Sequence, residues 1–502
     1  LSILAWGGGI FLAVRWRFRP RFSPVFWGVI LTISVLLIVR LAFVADLFLP
    51  LYTDSVEHYI IIQDLVGGRV PPHSYYNLAA FPQVYYHYGY HSLMTRQIVM
   101  GGFEPARVML ILGQMYLVLA AVGLYFPVAL LTHSQLAAFL TTLVAGVCWV
   151  MPAYAINWGK YPAIAAGTML PFFMGMMAMM ELMAIHLPSD DNRKKQPVGG
   201  LILLSFLGCT LTHSRMLVVI LLLIMACLFS RLPGRRGRWM VIIIVGFCLL
   251  GVLGDASNLA EAEVGFELYW RYGAVPLVVA LFGGLLCYVK YPRLAFQVLL
   301  VVALALGAMI LPLPAALDKI QGLIDRPFFQ IILFIPLSML VGIGLAGLIA
   351  WPKQKYVRIP LALVLGIGLL VWSPLAETTK PSDCCQLVTP DDLFIYSWLD
   401  DQTLQTDRVL IAAYQGPYRL IESDGGAWVE ALTLRSGEKA LYTMDFDAPL
   451  QQKALCAGGI VYIYVGAQPY SFDSASLAAQ PGFYKLIIQL PGGSLYQLNC
   501  GE

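Results

Sequence analysis

The stretch Tyr52-Thr53-Asp54-Ser55-Val56-Glu57-His58 sets two carboxylates and an imidazole on a polar segment between one apolar run and a long series of others. Ionisable groups at a membrane surface, beneath a loop long enough to fold over them, mark a site for chemistry on a lipid-borne substrate. Working outward, this segment opens a loop, 46 to 105, that divides an apolar run at 24 to 45 from one at 106 to 131. Further runs lie at 1 to 14, 136 to 156, 162 to 186, 199 to 212, 216 to 230, 239 to 254, 274 to 289, 294 to 311, 328 to 350 and 359 to 375. A helix needs about 20 apolar residues to cross about 30 Å of hydrocarbon, so about twelve crossings are expected. The pair around His213 is short, which predicts short or tilted helices, or a broken hairpin, meeting at Thr212-His213-Ser214-Arg215. Residue 1 is Leu inside the first run, which is expected to be the remainder of a longer apolar segment.

Composition agrees with that class. Of 502 residues, 59% are hydrophobic and only 12% charged, more apolar surface than a soluble domain of this size requires. The net charge of +3 implies no nucleic-acid partner, because the basic residues sit in short clusters between apolar runs and report topology instead. Arg15 to Arg21, Arg193-Lys194-Lys195, Arg231 to Arg238, Lys290 with Arg293, and Lys353 to Arg358 fall on alternate loops, which are therefore read as cytoplasmic. The opposite face receives the loop 46 to 105, the Asn157-Trp158-Gly159-Lys160 turn, the His213 turn, the loops 255 to 273 and 312 to 327, and everything after about residue 377. Two crossings on either side of His213 preserve this alternation.

Near Glu377 the composition turns polar. A capped helix start at Thr389-Pro390-Asp391-Asp392 and strand-like runs at 409 to 412, 459 to 465 and 484 to 488 predict a small soluble α/β domain. The expected fold class is mainly α: a transmembrane helical bundle over 1–376, then an extracytoplasmic α/β domain over 377–502. Cys384, Cys385, Cys456 and Cys500 lie in that second part, where two disulfides are allowed and their connectivity is open.

The strings Tyr52 to His58, Asn157-Trp158-Gly159-Lys160-Tyr161-Pro162, Leu211-Thr212-His213, Asp325-Arg326-Pro327 and Ser423-Asp424-Gly425-Gly426-Ala427-Trp428 resemble those of poorly characterised bacterial members of the GT-C superfamily, the integral-membrane glycosyltransferases. The resemblance covers nearly the whole chain. It implies a multi-pass protein of the bacterial plasma membrane, a sugar donor carried on polyprenyl phosphate or diphosphate, contact with membrane lipid, and an acceptor on the outer face. Many members carry two adjacent acids in the first loop, whereas here the next acid after Asp54 is Glu57.

The chemistry of glycosyl transfer asks for the same residue types. A carboxylate must deprotonate the attacking hydroxyl, and a cation or metal must stabilise the departing phosphate. Asp54 is the expected base, with an N-cap on the stretch Ser55 to Leu65 as its structural alternative. Glu57 and His58 are candidate substrate contacts whose plainer role is an exposed helical turn. Asp54 with Glu57 or His58 could also hold Mg²⁺ or Mn²⁺. The segment Pro82 to His91 reads either as an interfacial anchor or as a wall for a sugar ring, with His87 and His91 at helical metal-ligand spacing. Lys160 and Arg326 are candidate phosphate contacts at outer helix ends, or cations snorkelling to the interface; His213 is a further candidate. The Asp424-Gly425-Gly426 segment reads as a turn. A transporter or flippase, or a non-catalytic cell-envelope scaffold, would share the hydropathy pattern. Ionisable groups near helix ends and the lack of an internal repeat speak against transport, with Arg40 an exception that can still snorkel.

Overall fold

The structure, a computed structural model, describes residues 24–70, 72, 87–186, 192–230, 256–310, 326–416 and 420–501. Among these, five helices are long and apolar enough to cross a membrane: Pro24–Phe43, Pro105–Thr132, Tyr161–Ala184, Glu267–Lys290 and Pro327–Ala350. Shorter apolar helices at Gln135–Val147, Gln196–Thr212, Met216–Ser230, Pro292–Ala303 and Tyr356–Val371 accompany them. The runs 1 to 14 and 239 to 254, and the basic tracts 15 to 21 and 231 to 238, lie outside the described residues. Helix Phe334–Ala350 is the axis of the bundle, buried along almost its whole length between Gln135–Val147 and Ala256–Lys290.

Three expectations about the apolar runs are corrected. Within the single span Pro105–Thr132 the helix is interrupted at Leu124, leaving the segments Pro105–Gly123 and Tyr125–Thr132, because Pro127 has no N–H to give the Gly123 carbonyl four residues back. The run 136 to 156 stays helical only to Val147, and a 3-10 turn at Ala153–Ile156 follows Pro152. The expected loop 255 to 273 is helical instead. Helix Ala256–Lys290 continues through it, broken at Gly273 (φ −131°, ψ 22°), where Pro276 leaves the Tyr272 carbonyl without its donor. Hydropathy overlooks such a helix because its Ala, Glu and Leu residues favour helix without being uniformly apolar. Around His213 two helices do form, Asn192–Thr212 and Met216–Ser230.

The C-terminal part builds one six-stranded sheet behind helix Pro390–Gln402, which a Thr389–Asp392 capping box starts. Its strands are β1 (Arg408–Gln415), β2 (Leu420–Glu422), β3 (Ser436–Leu441), β4 (Ile460–Gly466), β5 (Tyr484–Leu490) and β6 (Gly493–Leu498). The order is β2-β1-β4-β6-β5, with β3 also on β1. Strands β3 and β4 both run parallel to β1, so the carboxyl ends of all three share one edge. Disulfides join Cys384 to Cys385 and Cys456 to Cys500.

This part packs on the first loop. Arg40 does not snorkel: it is buried and donates to the Thr378 carbonyl at 2.8 Å and to its hydroxyl at 3.0 Å. The Tyr52 N–H donates to the Cys385 carbonyl at 2.9 Å, and Asn157 Oδ1 accepts from the Ser382 N–H at 3.0 Å. Trp428 meets Tyr59 edge to face at 5.3 Å.

Candidate functional site

Helix Thr53–Val66 carries the acidic segment. The N-cap alternative for Asp54 does not hold, because Tyr52 occupies the cap position and Asp54 is the second helical residue. Tyr52 takes φ 65° and ψ 161°, a region nearly reserved for glycine. Its hydrogen bond to Cys385 and the Ser55 N–H donating back to its carbonyl at 3.2 Å hold that conformation. A carboxylate in the first turn also suits the positive end of the helix dipole.

Asp54 is committed to Lys160, whose Nζ donates to Oδ2 at 2.5 Å. The side chains keep only 13% and 31% of their exposure, so the pair is screened from bulk water. Gly159 makes this approach feasible. It adopts φ +67°, and a Cβ there would stand 2.6 Å from Ser55 Oγ and 2.8 Å from the Ser55 nitrogen. The Asn157–Lys160 turn is thus pressed onto the first turn of the acidic helix.

Four imidazoles from three chain segments adjoin this pair. His58 lies one helical turn beyond Asp54, and its Nδ1 is 3.1 Å from Nε2 of His91. The His87 ring lies 4.3 Å from that of His213, whose other face stacks on Phe328 at 4.6 Å with an interplanar angle of 2°. A Cβ on Gly89 would fall 2.4 Å from the Leu211 carbonyl, so only glycine lets the His87–His91 segment seat on the end of helix Asn192–Thr212. Burial lowers the pKa of every member: His58, His91 and His213 well below the imidazole range, and His87 to about 3. The Lys160 charge adds to the effect at His58 and His213, and Arg215 adds to it at His87 and His213. The cluster is therefore neutral at pH 7. Nδ1 of His213 and the hydroxyl of Tyr161, both buried, have no hydrogen-bond partner among the described residues.

Glu57 and His58 are buried, which corrects the exposed-turn alternative: the helix packs on helix Gly89–Gly101 and on the 425–433 segment of the C-terminal part. Of the candidates, Asp54, His58, His87, His91, Lys160 and His213 come together, and Glu57 shares their helix. Arg326 opens the helix Arg326–Ile332 whose Phe328 stacks on His213; its side chain, like Asp325 and Pro82 to Tyr86, lies outside the described residues. Asp54 is engaged by Lys160, and among the described residues no three or more His, Cys, Asp or Glu side chains gather at metal-binding range. Tyr52, Asn157 and Gly159 stand in the strings Tyr52 to His58 and Asn157 to Pro162, but their roles depend on contacts that local sequence does not encode.

The Ser423–Trp428 string is more than a turn. Asp424 is fully buried; its Oδ1 accepts from the Gly426 N–H at 2.9 Å and its Oδ2 from the Gly466 N–H at 3.1 Å and from the Ser471 hydroxyl. Burial raises its pKa to about 7.

No family model and no curated protein matches the chain. Solved structures do. A crystal structure of the Archaeoglobus fulgidus oligosaccharyltransferase, tethered to an acceptor peptide, aligns with TM-score 0.50 and 12% identity over 87% of this chain and 69% of its own. The arabinofuranosyltransferase AftD from mycobacteria aligns with TM-score 0.55 and 12% identity over 94% of this chain, which spans 40% of AftD. The chain is a membrane protein with the fold of the GT-C glycosyltransferases.

Proposed function

We propose that this protein is a membrane glycosyltransferase that moves a sugar from a polyprenyl-phosphate-linked donor to a hydroxyl-bearing acceptor outside the cytoplasm of a bacterial cell. The Asp54–Lys160 pair, closed beneath the C-terminal part of a GT-C fold, is the observation that supports this most strongly. In this reading the chain divides into a membrane part, 1–376, and an outer α/β domain, 377–502.

Asp54 accepts the proton of the acceptor hydroxyl as that oxygen forms the new bond to the anomeric carbon. The bond from that carbon to the phosphate oxygen breaks, and the phosphate leaves with the electron pair. Lys160 keeps the carboxylate oriented and offers its remaining N–H donors to the phosphate, with Arg326 as the second cation. The neutral imidazoles of His58, His87, His91 and His213 present donors and acceptors to the sugar and phosphate, and the buried atoms of His213 and Tyr161 are open to such contacts.

Asp54→Asn keeps the side chain's size and removes its charge. Transfer from a radiolabelled lipid-linked donor extract, measured in nanodiscs, should fall about 10²-fold or more while the folded protein persists. Transfer at the wild-type rate would refute the assignment.

A further inference from the structure

The sheet edge nearest Asp54 carries a row of tyrosines that the proposed chemistry does not use. Tyr414 ends β1, Tyr442 follows β3 and donates its N–H to the Ala413 carbonyl at 2.8 Å, and Tyr470 lies just past β4. All three therefore stand at the shared carboxyl edge of the parallel strands, the edge at which open α/β sheets bind ligands. Their rings run in sequence: Tyr442 to Tyr470 at 5.3 Å, then Tyr470 to Tyr414 at 6.3 Å. The Tyr414 hydroxyl then lies 3.4 Å from the hydroxyl of Tyr52, two residues before Asp54.

The row is held rigidly and remains open. Ser423 donates to the Tyr470 carbonyl at 2.6 Å, Ser471 is tied to the buried Asp424 carboxylate, and Gln468 donates to the Gln386 carbonyl at 2.7 Å. Tyr470 is nevertheless 55% exposed, and Tyr414, Tyr442 and Tyr52 are only half-buried. A tyrosine serving the core would bury its ring; these keep aromatic faces and hydroxyls available while the backbone beneath them is fixed. Among the described residues, Lys439 on β3 and Glu422 on β2 pair with each other.

We propose that this tyrosine row is a binding platform for a neutral oligosaccharide, the acceptor whose terminal hydroxyl is delivered past Tyr52 to Asp54. Sugar rings present apolar C–H faces that pack on tyrosine and hydroxyls that bond to phenol oxygens, a combination that a lipid chain does not offer, and the described edge residues leave no unpaired cation to hold an acidic chain. The proposal rests on the glycosyltransferase reading for its direction, from platform to carboxylate, and on the ring geometry for its chemistry.

The test is retention of the full chain in nanodiscs on a printed array of neutral oligosaccharides, acidic oligosaccharides and peptides. Wild-type protein should be retained on neutral oligosaccharides. Tyr470→Ala and Tyr442→Ala should weaken that retention by about tenfold each, and Tyr470→Phe, which keeps the ring, should hold most of it. Because Tyr470 is exposed, its truncation leaves the core packed, which an unchanged thermal midpoint verifies. Retention only on acidic chains or peptides, no retention at all, or wild-type retention by both alanine variants would overturn the platform. Asp54→Asn should still bind the sugars. If it also transferred at the wild-type rate, the catalytic assignment would fail and the platform would stand.

Discussion

Lys160 reaches across 106 residues of sequence to donate a 2.5 Å hydrogen bond to Asp54. Breaking the pair from one side leaves a partly buried charge without its partner. Lys160→Met should cost about 1–3 kcal/mol of stability, towards the lower end because Lys160 retains some exposure. The double variant with Asp54→Asn should recover part of that loss, a coupling of about 1 kcal/mol in a double-mutant cycle on detergent-unfolding midpoints. Losses that simply add would mean that the contact contributes little.

Gly159 offers a test that changes no charge. Gly159→Ala puts a methyl group against Ser55 in a left-handed backbone conformation, a strain of about 1–2 kcal/mol before any clash is relieved. The Asn157–Lys160 turn should lift off the acidic helix, so transfer should fall together with the thermal midpoint. Wild-type values for both would show that the turn has room to adjust.

Acid should destabilise the site through its imidazoles. His87 and His213 are held neutral when folded, whereas in the unfolded chain they protonate near pH 6.5. The unfolded state thus binds more protons as pH falls, so stability is complete above about pH 7 and is lost progressively below about 6.5, by up to about 1.4 kcal/mol per pH unit for each imidazole. His213→Phe keeps a ring against Phe328 and removes one titrating group, so its midpoint should decline less between about pH 7 and pH 5 than that of the wild type. Parallel declines would show that other groups govern acid unfolding.

The face of the membrane that carries the C-terminal part is read from basic loops alone. Leu450, 83% exposed, offers a reporter position. Leu450→Cys should react with a membrane-impermeant maleimide in intact cells. Labelling only after lysis would reverse the topology.

Hydropathy and local spacing determined the membrane class, most of the apolar helices, the polar character of the C-terminal part, and a short set of strings in which Asp54, Lys160, His58, His87, His91 and His213 already stood out. These are properties of single segments, because the cost of placing charge in hydrocarbon and the period of a helix act locally. Helix breaks at Pro127 and Gly273 went unseen because hydropathy does not register hydrogen bonds that prolines remove, and the polar helix over 256–272 because its residues favour helix without being uniformly apolar.

Only the tertiary structure decided who meets whom. The sequence left Asp54 a choice between capping its own helix and acting on another group; folding placed Lys160 on it and gave Tyr52 the cap position, since packing on the Cys385 carbonyl overrides the local preference for a capping side chain. It buried Glu57 and His58 where the sequence allowed an exposed turn, and stacked His213 on Phe328 from a helix more than 100 residues away. It also brought Tyr414, Tyr442 and Tyr470 from three strands to one edge beside Tyr52. No spacing rule connects such residues, because contacts between distant segments are fixed by the packing of whole elements rather than by the residues between them.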